Sequence, residues 1–122
     1  MLAITSNASE PNASETIMPY YNNVSRTSTS FEISSGEAHI ITSFSGYPGV
    51  TQRVEITTTL YVSVGVDWIE HSNWYDESTR HRGTFNHTIE VESGTYKVFV
   101  EYRLYGSGGD ADVITYEKEL TN

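Results

Sequence analysis

The side chains best equipped for chemistry gather in one stretch, where His71, His81 and His87 keep company with Asp67, Glu70, Asp76 and Glu77. Imidazoles and carboxylates together can hold a transition metal or exchange protons with a substrate. The spacings that put such ligands on one side of one element, HxH or HExxH, do not occur. His87 shares strand parity with Phe85 and Ile89 and is expected to be partly buried, while His71 and His81 are expected in a solvated loop. A small metal-dependent or hydrolytic enzyme is therefore a remote reading.

Other catalytic routes find less support. There is no Cys, which excludes a thiolate nucleophile and Cys-based zinc or iron–sulfur sites. With thirty Ser and Thr residues some hydroxyl must lie near some His, but no GxSxG turn singles one out. Paired carboxylates for glycoside hydrolysis normally need a larger scaffold with a cleft. The run Gly106-Ser107-Gly108-Gly109-Asp110-Ala111-Asp112 has the Asp-x-Asp element of a calcium loop, but lacks its terminal Glu and flanking helices. It reads as a hairpin loop, and without a following Lys and helix it cannot cradle phosphate as a P-loop does. The expectation is no catalytic residue, no metal and no cofactor.

Aromatic residues remain: nine Tyr, four Phe and two Trp. Parity places Tyr61, Phe99 and Tyr105 on outward faces of two long strands, and Trp68, Trp74 and Tyr75 form a second candidate platform in a central loop. Flat exposed rings stack on sugars and anchor protein interfaces. Against this stands a plainer account, because Tyr favours solvated strand faces by propensity and sandwiches commonly bury a Trp.

Charge narrows the partners. The net charge is −9, Lys occurs only as Lys97 and Lys118, and Arg80-His81-Arg82 is the one local positive cluster, with Asp76 and Glu77 just before it. Nucleic acid and anionic membrane surfaces are excluded as expected partners, since both need a surplus of Lys and Arg on one face. No apolar run is long enough to span a bilayer, so no membrane insertion is expected. The start, Met1 to Ala8, is too short and polar for a complete signal peptide. Export is inferred from composition instead: 19% charged residues and abundant Ser and Thr suit a secreted or cell-surface β-protein. Four Asn-x-Ser/Thr sequons, at Asn7, Asn12, Asn23 and Asn86, would matter only in a eukaryotic secretory pathway.

The elements that must carry these residues are strands. Residues 1–18, with the near-repeat Asn7-Ala8-Ser9-Glu10 and Asn12-Ala13-Ser14-Glu15, read as a flexible polar leader, and Met18-Pro19-Tyr20-Tyr21 as the first anchoring segment. Residues 19–122 form one domain. Phe31 and Ile33 alternate with polar neighbours before a turn at Ser34-Ser35-Gly36, and Ala38, Ile40, Thr42 and Phe44 follow. The longest alternation sets Val54, Ile56, Thr58, Leu60, Val62 and Val64 against Arg53, Glu55, Thr57, Thr59, Tyr61 and Ser63. After Gly65, Val66, Trp68 and Trp74 suggest a less regular strand and loop. Phe85, Ile89 and Val91, then Tyr96, Val98, Val100, Tyr102 and Leu104, then Ile114, Tyr116 and Leu120 mark the rest. About seven strands and no amphipathic helix predict an all-β antiparallel sandwich, immunoglobulin- or fibronectin type III-like, with a small β-barrel as the alternative. Ser93-Gly94-Thr95-Tyr96 places a Tyr where a tyrosine corner would open the penultimate strand, the alternative being an ordinary buried Tyr.

Several landmarks recur in a familiar order: Met18-Pro19-Tyr20-Tyr21-Asn22-Asn23-Val24, Ile33-Ser34-Ser35-Gly36-Glu37-Ala38, the long strand ending in Leu60, Trp68, Trp74, Ser93-Gly94-Thr95-Tyr96-Lys97-Val98 and Tyr105-Gly106-Ser107-Gly108. From about residue 18 to 116 this order resembles small exported proteins of Gram-positive gut and soil bacteria that form a domain family of unknown function. The resemblance implies export and a β-sandwich, and no known activity. The resemblance is weakest in the stretch between Trp68 and Gly83, rich in His and acidic residues. The expected function is an extracellular, non-catalytic binding or structural module, joining protein or another copy of itself through a sheet face or edge. The alternative is a carbohydrate-binding module that uses exposed aromatics.

Overall fold

A computed structural model describes residues 22–122 in full, together with the backbone of Ile4–Ser6 and Ala13–Ile17. Among the described residues every regular element is a strand: β1 Ile4–Ser6, β2 Ala13–Ile17, β3 Arg26–Ser34, β4 Glu37–Ser45, β5 Arg53–Val64, β6 Asp67–Ser78, β7 Arg82–Glu90, β8 Thr95–Tyr105 and β9 Asp112–Thr121. Their alternation explains them. On β5 the side chains of Val54, Ile56, Thr58 and Leu60 are fully buried while their neighbours face outward, and β-branched residues suit such a half-dry pleated strand. Between β3 and β4 the chain turns on Ser35 and Gly36, whose φ angles of 53° and 75° are those a two-residue type I′ hairpin demands.

The strands form two antiparallel sheets, one ordered β1-β2-β3-β4-β7 and the other β6-β5-β8-β9. Hairpins join β3 to β4, β5 to β6 and β8 to β9 within a sheet, and the chain crosses between sheets after β4, β6 and β7. The seven strands β3–β9 therefore make the open sandwich expected from the sequence, with the immunoglobulin- or fibronectin type III-like division of strands. The sheets do not close into a barrel. Strands β1 and β2 extend the first sheet beyond β3, within the stretch read as a flexible leader. The expected anchor at residues 18–21 lies outside the described residues.

Phe31, Ala38, Ile40 and Phe44 of one sheet meet Val54, Ile56, Leu60, Val98, Val100, Leu104 and Ile114 of the other in a dry core. Two tyrosines carry polar groups into it safely. Tyr102 is fully buried, and its hydroxyl donates to the Ser28 carbonyl at 2.9 Å and meets the Thr29 hydroxyl at 2.6 Å, tying β8 to β3. Burial pushes its pKa well above the usual phenol range. Tyr96, only 2% exposed, donates to the carbonyl of Glu92 at 2.9 Å, four residues back, and so forms the tyrosine corner.

One end of the sandwich is closed by polar groups. The Asn23 N–H donates to Asp112 Oδ2 at 2.6 Å, its side-chain amide to the Leu104 carbonyl at 3.3 Å, and its own carbonyl accepts from the Thr51 hydroxyl at 2.6 Å. Gly46 and Gly106 leave room for this knot, since a Cβ on either would overlap Asn23. Asp112, in the Asp-x-Asp element, thus serves as a backbone acceptor, and Asp110 stays exposed on the β8–β9 loop.

The central segment differs from its sequence reading. Strand β6 is a continuous element of twelve residues, paired with β5 throughout apart from one irregularity beside Leu60 and Tyr61. Leu60 pairs with Ser72 and Tyr61 with Glu70, leaving His71 as the extra residue of a β-bulge.

Candidate binding surface

Alternation fixes what the four-stranded sheet shows to solvent. With Leu60, Val98 and their register neighbours turned inward, β5 presents Arg53, Glu55, Thr57, Thr59 and Tyr61, and β8 presents Lys97, Phe99, Glu101, Arg103 and Tyr105. Pairing sets Tyr61 beside Lys97, Thr59 beside Phe99 and Arg53 beside Tyr105. From β6, Tyr75 registers with Thr57 and Trp68 with Ser63. Five of the six aromatic residues expected in a binding surface, Tyr61, Trp68, Tyr75, Phe99 and Tyr105, therefore share one sheet face.

Trp74 does not join them. An even separation along an unbroken strand would put Trp68 and Trp74 on the same side. The extra residue at His71 inverts the phase, so Trp68 faces out while Trp74 turns in against the core. There the indole stacks on His87, ring centroids 4.9 Å apart at 16°, and His87 Nε2 lies 2.6 Å from Asp76 Oδ2. This cluster bridges β6 and β7, the neighbouring edge strands of the two sheets. Side chains thereby cover the flank of the sandwich that the backbone leaves open.

Two charge-braced groups organise the aromatic face. In the first, Lys97 Nζ stands 4.6 Å from the Trp68 ring centroid and 5.8 Å from that of Tyr61, with Glu117 at 3.8 Å. In the second, Glu55 is the hub: Tyr105 donates to Oε1 at 2.8 Å, and Tyr75 and Arg53 both donate to Oε2 at 2.8 Å. The Arg53 guanidinium also lies 4.3 Å from the centre of the Tyr105 ring and reaches Glu77 at 3.3 Å. Hydrogen bonds from Tyr105 and then Tyr75, helped by Arg53 and Arg103, hold the Glu55 carboxyl below its ordinary pKa. The same bond pushes the Tyr75 phenol up to about 12. Both rings are held by their hydroxyls on one carboxylate, so their orientation is settled before any partner arrives, although Tyr75 is 58% exposed. The two groups lie about 20 Å apart along β5, six residues at ~3.3 Å each.

The three histidines do not converge. His87 is in the β6–β7 bridge; His71, at the bulge, meets the Tyr96 ring edge-on at 5.9 Å and Ser72 Oγ at 2.9 Å; His81 lies on the β6–β7 turn. His71 thus sits in a strand and not in the expected loop, while the partial burial expected of His87 matches its position. Among the described residues no group of three His, Asp or Glu side chains is arranged to hold a metal ion. What sequence reasoning missed was Glu55 as the organising residue. Its parity with Tyr61 was visible, but its bonds to residues on two flanking strands depend on register.

Fold and surface together define an open β-sandwich with one aromatic, charge-braced sheet face. Compared with protein-family models, curated proteins and solved structures, the chain finds no match.

Proposed function

We propose that this domain is an extracellular, non-catalytic binding module that engages a protein partner or a second copy of itself through the outer face of β6-β5-β8-β9. The observation that carries the reading is the set of five rings on that face, four of which, Tyr61, Trp68, Tyr75 and Tyr105, are held in place by Lys97, Glu55 and Arg53. Trp, Tyr and Arg are the residues on which interface energy concentrates, and rings already fixed lose little entropy on binding. Composition supports the extracellular setting, and the net charge of −9 argues against nucleic acid.

Sedimentation of the full chain over a wide concentration range, alone and with Trp68→Ala and Tyr75→Ala, tests self-association. The reading expects association that each substitution weakens by about tenfold or more, the effect of losing a hot-spot ring. Association that survives both unchanged removes this face as the interface.

A second reading, carbohydrate binding, draws on the Tyr75–Glu55–Tyr105 arrangement, where rings for stacking flank a carboxylate that accepts sugar hydroxyls. The rings of Tyr75 and Tyr105 are its reporters, because Trp68 belongs to the Lys97 group about 20 Å away and Trp74 is turned inward. Glycans that shift the Tyr75 and Tyr105 ring resonances in the native chain but not in Glu55→Gln would favour it; a broad screen without such a shift would eliminate it.

A further inference from the structure

Three edge strands of the sandwich, β6, β9 and β7, are unlike. Strand β6 is interrupted by the bulge at His71, and β9 carries Lys118 on its inward row, in register with the buried Val98 of β8. A bulge and an inward-pointing charge are two devices that keep an edge from pairing with another chain. Strand β7 has neither. Its nine residues register with β4 without a break, and its inward row is Gly83, Phe85, His87 and Ile89, of which His87 is already held by Asp76 and Trp74.

The phase of the ladder shows which backbone groups of β7 are left over. The Val91 N–H donates to the Gly36 carbonyl and the Gly46 N–H to the His81 carbonyl, and both pairs continue the β4–β7 register. In an antiparallel ladder, residues that exchange bonds alternate with residues that do not, so residues 83, 85, 87 and 89 are the ones bonded to β4. Arg82, Thr84, Asn86, Thr88 and Glu90 turn their N–H and C=O groups the other way, off the end of the sheet, and their exposed side chains lie on its outer face. Read in reverse, these residues complement themselves. An antiparallel copy centred on Asn86 sets Arg82 opposite Glu90, Thr84 opposite Thr88 and Asn86 opposite its own equivalent. A shift of the register by two residues in either direction keeps the bonding phase but breaks the charge pairing. Within the chain Glu90 registers with Glu37 on β4, and among the described residues neither Arg82 nor Glu90 forms a salt bridge. Like charges in register destabilise a sheet, so a guanidinium arriving at Glu90 offsets a repulsion already present in the single chain.

We propose that β7 is a homodimerisation edge, on which two copies of this chain pair antiparallel about a two-fold axis through Asn86 and join their five-stranded sheets into one. Each outward residue then exchanges two backbone hydrogen bonds with its counterpart, and opposite charges and β-branched threonines form the cross-strand pairs. The contact uses the same patch on both copies, so it closes at two and does not propagate. It is separate from the aromatic face, which lies on the other sheet. Paired side chains in a ladder share one side of the sheet, so both copies present their aromatic faces in the same direction. The dimer thereby doubles that surface without covering it.

The test is sedimentation of the full chain up to millimolar concentration, with amide hydrogen exchange followed at each residue. The inference expects a monomer–dimer equilibrium in which the N–H groups of residues 82, 84, 86, 88 and 90 gain protection as the dimer fills. Those of residues 83, 85, 87 and 89, already bonded to β4, should change little, an alternation that association through the aromatic face would not produce. Asn86→Pro removes an outward N–H without touching the β4 ladder and should abolish the dimer, with an unchanged near-ultraviolet circular dichroism spectrum reporting the intact fold. Arg82→Glu and Glu90→Arg each set like charges opposite one another at both ends, and each should weaken self-association by about tenfold or more. An equimolar mixture of these two variants, or both exchanges in one chain, should restore it, and these charge variants carry the test where the proline chain does not fold. Trp68→Ala should leave the equilibrium unchanged. Self-association that falls in Trp68→Ala but not in Arg82→Glu, that survives Asn86→Pro, or that the paired exchanges fail to restore would overturn the inference. So would a chain that stays monomeric at millimolar concentration, which would leave this edge to a strand of another protein.

Discussion

Strand β6 contains two regions that differ in what they serve. Before the bulge, from Asp67 to Glu70, the outward residue is Trp68, part of the aromatic face with Lys97 and Tyr61. After it, from Ser72 to Ser78, the inward ring is Trp74, which stacks on His87 beside its partner Asp76 between the two sheets. The same residue type, six positions apart on one strand, is a surface ring in one region and a wall in the other. The difference teaches that strand parity is valid only between bulges, and that one extra residue suffices to reassign a side chain from binding to closure.

The strongest challenge to this contrast is the exchange Asn73→Trp with Trp74→Asn, which moves the indole to the outward phase of β6 and leaves an amide against the core in its place. The expected loss is about 3 kcal/mol or more, or failure to fold, measured by urea denaturation. Deletion of His71, which leaves Trp68 and Trp74 five positions apart on an unbroken strand and so still on opposite faces, should by contrast keep the fold. Next comes Trp74→Ala, which should cost about 2–3 kcal/mol by opening a cavity over His87, with the aromatic face still able to bind. Trp68→Ala should show the reverse: less than ~1 kcal/mol of stability lost, because its contacts lie on the surface, with binding impaired. If the two tryptophans gave equal stability losses, the contrast would collapse.

The smallest effect concerns proton binding on the outer face. Glu55 has a folded pKa below its ordinary value of 4.5, so its network adds stability that is complete above that pH and disappears as pH falls through the folded value. Tyr105→Phe should raise the Glu55 pKa more than Tyr75→Phe does, because the Tyr105 bond is the larger cause. Carboxyl-carbon NMR titration of the three proteins reads this directly. Substitutions of the inner cluster, such as Trp74→Ala, should leave that titration unmoved.

Much of the architecture was legible because the core strands bury apolar residues at every second position. Phe31 on β3, Ala38 to Phe44 on β4, Val54 to Leu60 on β5 and Tyr96 to Leu104 on β8 all lie inside as their alternation implied. The tyrosine corner was legible too, from the Gly turn before Tyr96. Strand β6 was not, for a physical reason: its inward residues after the bulge are Ser72, Trp74, Asp76 and Ser78, which close a flank through ring stacking and a hydrogen bond. Such a strand carries little hydrophobic alternation, and its bulge breaks what there is. For the aromatic face, parity placed Tyr61, Phe99 and Tyr105 correctly, yet Glu55 as hub required cross-strand register.

The polar knot around Asn23 also governs the order of events in folding. It joins the first fully described turn of the body to Asp112 at the start of the last strand, 89 residues away, and to Leu104 and Thr51. Closing so large a loop has a high entropic cost until the intervening strands are in place, so this contact belongs to the late stages of folding. A chain emerging N-terminus first from a ribosome cannot complete the sandwich until β9 has appeared. Until then Asn23 lacks the carboxylate of Asp112 that accepts its N–H, so the final strand acts as the latch.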